Sequence, residues 1–315
     1  MSLQPISRRH RLQTDIRTRF RFKRSLSKSD LFWAYIMVAP NLLGLLIFYI
    51  WPIFQNFYFS FTTWGDFGKS AWSGLDNYKN LFSDPEVLHA TQNTFAYAVM
   101  TIPVSMAISL VVAAFLNQKI RGIGLYRALY FLPMVTIPAA VAMMWRWLFN
   151  GDYGLLNYLL SLVSLGPVRW LSDDTALYAV VLVGIWSSIG FNMIILLAGL
   201  QTIPTVYYEA ASLDGAGATQ RFFRITMPLL SPTVFFLTIV SLINGLQVFD
   251  QIFLMIKPKS TAIENTQSLV YLFYKTAFID GDKGYGAAIV TLLFVIILAI
   301  TMVQLWFQKK WVHYD

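Results

Sequence analysis

Catalysis needs polar groups gathered at one place, and this sequence offers few. His10, His89 and His313 stand far apart, never in the H-E-x-x-H spacing that sets two imidazoles on one helix face. Cysteine is absent, which excludes disulfides, thiolate metal sites and a cysteine nucleophile. No catalytic residue and no metal ligand is therefore expected. FGKS at 67–70 looks like the end of a phosphate-cradling loop, but Thr63 stands where G-x-x-x-x-G-K-[ST] needs its first glycine. GAGATQ at 215–220 ends in Gln220 where G-x-G-x-x-G ends in glycine. ATP chemistry is not expected on this chain.

A different set of polar residues is more informative. In TVFFLTIVSLINGLQVFDQIFLMI (233–256), Ser241, Asn244, Gln247 and Gln251 fall at helical spacing within an arc of about 120°. Ser188 and Asn192 repeat the pattern at i and i+4 in another apolar run. Amides donate and accept, which suits a solute covered in hydroxyls. The same stripe would serve equally to bond neighbouring helices. Asp250 is an acid within an apolar run, a functional flag inside a membrane, although near the end of its run it would also serve as a cap.

The elements that carry these residues are membrane spans. The chain has 315 residues, 57% of them hydrophobic and 13% charged, against roughly 45–50% and 25% in soluble domains. That balance makes a polytopic membrane protein the default class. Charge-free runs at 31–65, 90–118, 128–145, 175–208, 225–249 and 284–308 predict six transmembrane helices and an all-α fold. They are centred near Leu43, Met106, Ala139, Val183, Thr238 and Val295. A seventh run at 153–168 is too short to span and reads as interfacial or re-entrant. Prolines 40, 52, 103, 133 and 138 fall in or beside the predicted spans and would kink them. Arg146, between Trp145 and Trp147, reads as an arginine snorkelling to an aromatic belt.

Charge orients the spans. Residues 1–30 form a basic tail in which Arg8, Arg9, Arg11, Arg17, Arg19, Arg21, Lys23, Arg24 and Lys28 face only Asp15 and Asp30. Such a tail before an apolar segment reads as a topology signal, with a nucleic-acid or lipid arm as the rival. SRRHRLQ is like a twin-arginine export signal, but the apolar segment begins about twenty residues later and lacks a small-residue cleavage site followed by a soluble domain, so no cleaved targeting peptide is expected. With both termini inside, the inner connections carry Lys119, Arg121 and Arg127, then Arg221 and Arg224, and Lys309 and Lys310 follow the last span. One outer loop, 257–285, dissents with Lys257, Lys259, Lys275 and Lys283 against Glu264, Asp280 and Asp282.

Between spans four and five lies EAASLDGAGATQRFFRITMPLLSP, Glu209 to Pro232. Pro204 suits the start of a short helix that TVYYEAASL continues, and Asp214-Gly215 would stop it. ATQRFFRI predicts a second short helix ended at Met227-Pro228. Tyr207, Tyr208, Phe222 and Phe223 supply apolar anchors, so the pair reads as a docking knob or as a helix resting on the membrane.

Glu209, Ala210, Ala211, Gly215, Ile225 and Pro228 resemble the EAA loop of binding-protein-dependent ABC import permeases, with Met227 where that family usually has Leu. The extended stretch LAGLQTIPTVYYEAASLDGAGATQRFFRITMP is similar to the sugar branch, of maltose and glycerol-phosphate permease type. GLDNY (74–78), FLP (131–133), Trp170-Leu171, Phe249-Asp250 and GYGAA (284–288) extend the likeness. The branch's usual GGP after span five is replaced here by MIKPKSTAIEN (255–265), which sets Lys257 and Lys259 at the outer mouth.

The resemblance implies a type I ABC importer permease domain over 31–315, with a coupling loop at about 201–232 that inserts into a separate ATPase subunit. It implies that Glu209 contacts that ATPase, that Ala210 and Ala211 allow a close fit and that Gly215 makes the elbow. It implies a second, related permease, two ATPase subunits holding ATP and Mg, and an extracytoplasmic solute-binding protein, in an inner membrane with both termini cytoplasmic. No cofactor on this chain and no nucleic-acid partner are expected, and the lysines at the mouth would suit an acidic sugar such as an alginate fragment. A stand-alone secondary transporter would instead show an internal repeat and several ionisable groups within the spans. A membrane-embedded enzyme would need a cluster of His, Asp, Glu or Ser.

Overall fold

The computed structural model describes residues 28–64, 70–118 and 121–311. The arginines of the tail, His10, His313, the Gly68-Lys69 pair and Lys119 lie outside these described residues. The chain divides into two units, one up to Phe54 and one from Gln55. In the first, α1 (Lys28–Leu45) passes through a π-turn, Leu46–Ile50, into α2 (Trp51–Phe59). Leu31–Phe59 is long and apolar enough to cross a membrane.

The second unit begins within α2, at Gln55, and continues into a small antiparallel ribbon, β1 (Thr62–Trp64) against β2 (Ser70–Trp72), with Thr63 opposite Ala71. A short α3 (Asp76–Ser83) leads to α4 (Pro85–Leu116), which Asp84 caps by accepting from the Glu86 amide. Small and hydroxyl residues recur along one face of α4: Ala90, Thr94, Ala98, Thr101, Ser105, Ser109 and Ala113 are all buried. Val99, Val104, Ile108, Val111 and Phe115 face outward. This is the membrane pattern, in which small residues let backbones approach and large apolar ones meet lipid. The partner of α4 is α8 (Ala176–Thr202), where the Ser109 hydroxyl donates to the Ile189 carbonyl at 3.3 Å. Gly190 of α8 is required for a second close approach: a Cβ there would stand 2.1 Å from the Tyr130 carbonyl oxygen.

The third predicted span is not a straight helix. α5 (Ile123–Val135) and α6 (Pro138–Leu148) meet at a bend of 100°. Proline disfavours helical geometry in the residue before it, and Ile137 is extended at φ −59°, ψ 130°. Pro138 then starts α6, where its missing N–H costs nothing. The Thr136 hydroxyl donates to the Leu132 carbonyl, one of those freed at the end of α5. Among the described residues, five helices are long and apolar enough to cross a membrane, and six if the bent pair counts as one span. Run 153–168 yields only α7 (Leu155–Leu162), far too short to span.

The helix expected to end at Met227-Pro228 does not. α10 (Ala218–Arg221) enters a π-turn, Phe222–Thr226, and continues as α11 (Met227–Leu246). A proline ring collides with the carbonyl of the preceding turn. A wider π-turn gives that carbonyl room, and both Pro52 and Pro228 follow such a turn by two residues. After α11 the chain unwinds at Gln247–Phe249 and restarts as α12 (Asp250–Met255). A 3₁₀ turn (Thr261–Ile263), α13 (Leu269–Tyr274) and a third π-turn (Lys275–Ile279) precede α14 (Lys283–Trp311).

Candidate functional site

All seven residues singled out for a solute pathway line one cavity of about 410 Å³: Ser188, Asn192, Ser241, Asn244, Gln247, Asp250 and Gln251. They arrive from two helices and a break. α8 supplies Ser188 and Asn192, and α11 supplies Ser241 and Asn244. The single helical stripe expected through Gln251 is corrected by the structure, since α11 stops at Leu246. Gln247 belongs to the unwound link, while Asp250 and Gln251 open α12. Unwinding turns these three toward the same space and leaves the Asp250 carboxylate exposed, with no hydrogen-bond or ion-pair partner among the described residues.

Asn192 is the most telling wall residue. It is 2% exposed, yet its Nδ2 finds no acceptor among the described residues. A buried unpaired amide costs about 1–3 kcal/mol, so such groups mark places kept for something other than stability. Ser188, by contrast, donates to the Gly184 carbonyl at 2.7 Å. Tyr97, Thr101, Ser105 and Ser187 complete the polar wall and were not singled out from the sequence. The first three stand at i, i+4 and i+8 on α4, a spacing that would have revealed them.

A smaller cavity of about 200 Å³ adjoins the first, sharing Met134, Ser187, Asp250 and Gln251 with it. The α5–α6 bend lines this second space with Pro133, Thr136 and Pro138. Broken helices at membrane depth are tolerated where they line a protein cavity, and both breaks here do so.

Beyond the other end of α8 the chain makes an elbow. α9 (Thr205–Leu213) ends where Gly215 takes φ +78°. The Gly215 amide donates to the Ser212 carbonyl and the Ala216 amide to the Ala211 carbonyl, a Schellman cap that needs the left-handed residue. Arg221 donates to the Ser212 hydroxyl at 2.8 Å, and the Tyr208 and Thr226 hydroxyls bond at 2.9 Å, so the two arms are tied together. Glu209 and Ala210 are exposed, whereas Ala211, Ile225 and Pro228 are half-buried. Leu213 is 90% exposed, and Val206, Tyr207 and Phe223 stand out beside it. Phe222 stacks edge-on against Phe223 at 5.1 Å.

The dissenting lysines divide. Lys275 pairs with Glu86, and Lys283 lies 4.8 Å from the Trp64 ring centre. Lys257 and Lys259 are exposed, and Lys257 lines a third cavity with Arg146 and Arg169.

Residues 86–313 match the family described as binding-protein-dependent transport system inner membrane component. The probable ABC transporter permease protein YesP of Bacillus subtilis is 34% identical over 296 residues, covering 93% of this chain and 95% of its own length. The sn-glycerol-3-phosphate transport system permease protein UgpA of Agrobacterium fabrum is 35% identical over 283 residues, covering 89% and 96%. In fold, the chain resembles a subunit in the crystal structure of a bacterial ABC transporter involved in the import of the acidic polysaccharide alginate. That match has a TM-score of 0.79 at 23% identity, over 89% of this chain and 96% of the other.

Proposed function

We propose a carbohydrate as the cargo of this chain, which belongs to the binding-protein-dependent transport system inner membrane component family and is a multi-pass ABC importer permease. The observation that carries the proposal is the cavity whose wall sets Asn192, Asn244, Gln247 and Gln251 beside six hydroxyl residues. Amide and hydroxyl groups meet sugar hydroxyls as donors and acceptors alike. Relatives named for sn-glycerol-3-phosphate transport, and a structural neighbour that imports alginate, support a sugar or sugar derivative.

Transport runs by alternating access. A binding protein delivers solute to the side where α8 begins, and the elbow at the other end of α8 docks on the ATPase. ATP and Mg are held there, on the partner, and this chain needs no cofactor of its own. Glu209 meets the ATPase, Ala210 and Ala211 leave room for a partner backbone, and Gly215 fixes the angle of the two arms. Ile225 and Pro228 pass the movement of the elbow into α11, which also carries Ser241 and Asn244. A second, related permease completes the pathway, two ATPase subunits drive it, and both termini lie in the cytoplasm.

Purification in mild detergent, with mass identification of what accompanies the chain, tests this. An ATPase and a second EAA-bearing permease are expected. A chain that emerges alone and transports when reconstituted alone would make it a secondary transporter instead.

A further inference from the structure

We infer that Arg146, Arg169 and Lys257 form an anion site at the outer mouth, which holds the carboxylate or phosphate of an acidic carbohydrate before it moves inward. The inference rests on the importer reading above and names the class of its solute.

The three cations line one cavity of about 470 Å³ whose wall contains no Asp or Glu. That volume lies within the roughly 300–1,000 Å³ of small-molecule sites. None of the three side chains makes a hydrogen bond or ion pair among the described residues. Asp173, the nearest acid in sequence to Arg169, accepts instead from the Thr261 hydroxyl at 2.6 Å. Like charges gathered without a counter-charge repel, so the arrangement favours an anion supplied from outside.

The scaffold is built. Asn157, itself buried, donates to the carbonyls of Gly151 and Val168 and accepts from the Val168 amide and the Trp170 indole N–H, at 2.9–3.2 Å. Arg169 stands between the two clamped residues. Arg146 follows buried Trp145, and Lys257 follows buried Met255 and Ile256. Three chain segments far apart in sequence thus each present one cation from an anchored neighbour.

The site adjoins the inner cavities through shared walls. Met255 borders both this cavity and the smaller one at the α5–α6 bend, which in turn shares Asp250 and Gln251 with the polar cavity. The anionic group stays at the mouth while sugar hydroxyls reach the Asp250 carboxylate, a pure acceptor. The site precedes α8 and the elbow follows it, about 40 Å apart along a 27-residue helix.

The test is saturation-transfer NMR on the purified importer complex without its binding protein. The probes are a mannuronate trisaccharide, its neutral methyl ester and sn-glycerol 3-phosphate. The acid trisaccharide should bind about tenfold tighter than the ester, and the triple variant Arg146→Gln, Arg169→Gln, Lys257→Gln should erase that preference. Preference for sn-glycerol 3-phosphate over the trisaccharide would identify the anion as phosphate. Lys79→Gln, an exposed charge paired with Asp76 and outside the cavity, should change nothing. Equal binding of acid and ester, no anion binding at all, or an acid preference that survives the triple variant would overturn the site. A triple variant that keeps the preference and, once the binding protein is added back, no longer docks it would reassign the cations to a protein contact. A complex that still imports a neutral sugar with its ATPase attached would lose only this site. A chain without ATPase would lose the importer reading itself.

Discussion

Asn192 separates stability from function. Its amide is buried against the polar cavity without an acceptor among the described residues, so the folded protein carries that loss whenever the cavity holds no partner for it. Asn192→Leu keeps nearly the same volume and removes the unpaired group. It should raise the thermal stability of the purified complex, by about 1 kcal/mol or more, while lowering solute uptake. Melting curves and uptake into proteoliposomes on one preparation decide this. Unchanged uptake would reduce Asn192 to a packing residue. Such residues were legible because an amide in an apolar run is rare and costly. Tyr97, Thr101 and Ser105 were overlooked because a hydroxyl in a membrane helix more often bonds its own backbone, as the Ser109 hydroxyl does to the Ser105 carbonyl. Arg146, Arg169 and Lys257 share no local pattern, and only the tertiary fold brings them together.

Among the elements, the elbow is where conformation is most demanding. Gly215 at φ +78° suits glycine, tolerates asparagine and strains a branched residue. Gly215→Asn should retain most transport. Gly215→Val should uncouple it, leaving ATP hydrolysis in place and uptake several-fold lower, for a strain of about 1–2 kcal/mol at one residue. Paired measurements of ATP hydrolysis and uptake would show it, and wild-type uptake in the valine variant would remove the elbow from coupling. This turn was readable because Asp-Gly is a strong stop signal. The α5–α6 bend was not. Pro138 marks a boundary, but a boundary in sequence carries no angle, and across the 100° bend the two helices pack on different partners, α5 on α8 and α6 on α12. Continuation through Pro228 was likewise hidden, since nothing in FFRIT announces the wide turn that makes room for the proline.

At the scale of the molecule, one end is fastened by polar bonds across long sequence separations. Lys275 reaches Glu86 at the start of α4, Gln267 donates to the same carboxylate, and the Leu269 amide donates to Thr94. Burial alone would lower the Lys275 pKa, but the hydrogen bond and charge of Glu86, with Asp280 and Tyr271, raise it above the usual 10.5. A lysine raised in the folded state contributes stability that is complete below about pH 10.5 and is lost as pH climbs through the raised value. The pair is more than a third exposed, so the effect is modest. Melting temperature should therefore fall more steeply above pH 10.5 in the wild type than in Lys275→Met, and parallel slopes would exclude the pair as the cause.

The π-turn at Phe222–Thr226 also sets an angular phase. Were it to tighten to α-geometry, every residue after it would rotate by about 100° and advance by about 1.5 Å relative to the arm that Arg221 ties to Ser212. Ser241 and Asn244 would swing away from the cavity together, and apolar neighbours would take their place on its wall. Which side chains a solute meets is thus fixed some fifteen residues upstream by the width of a single turn, and Pro228 holds that turn open.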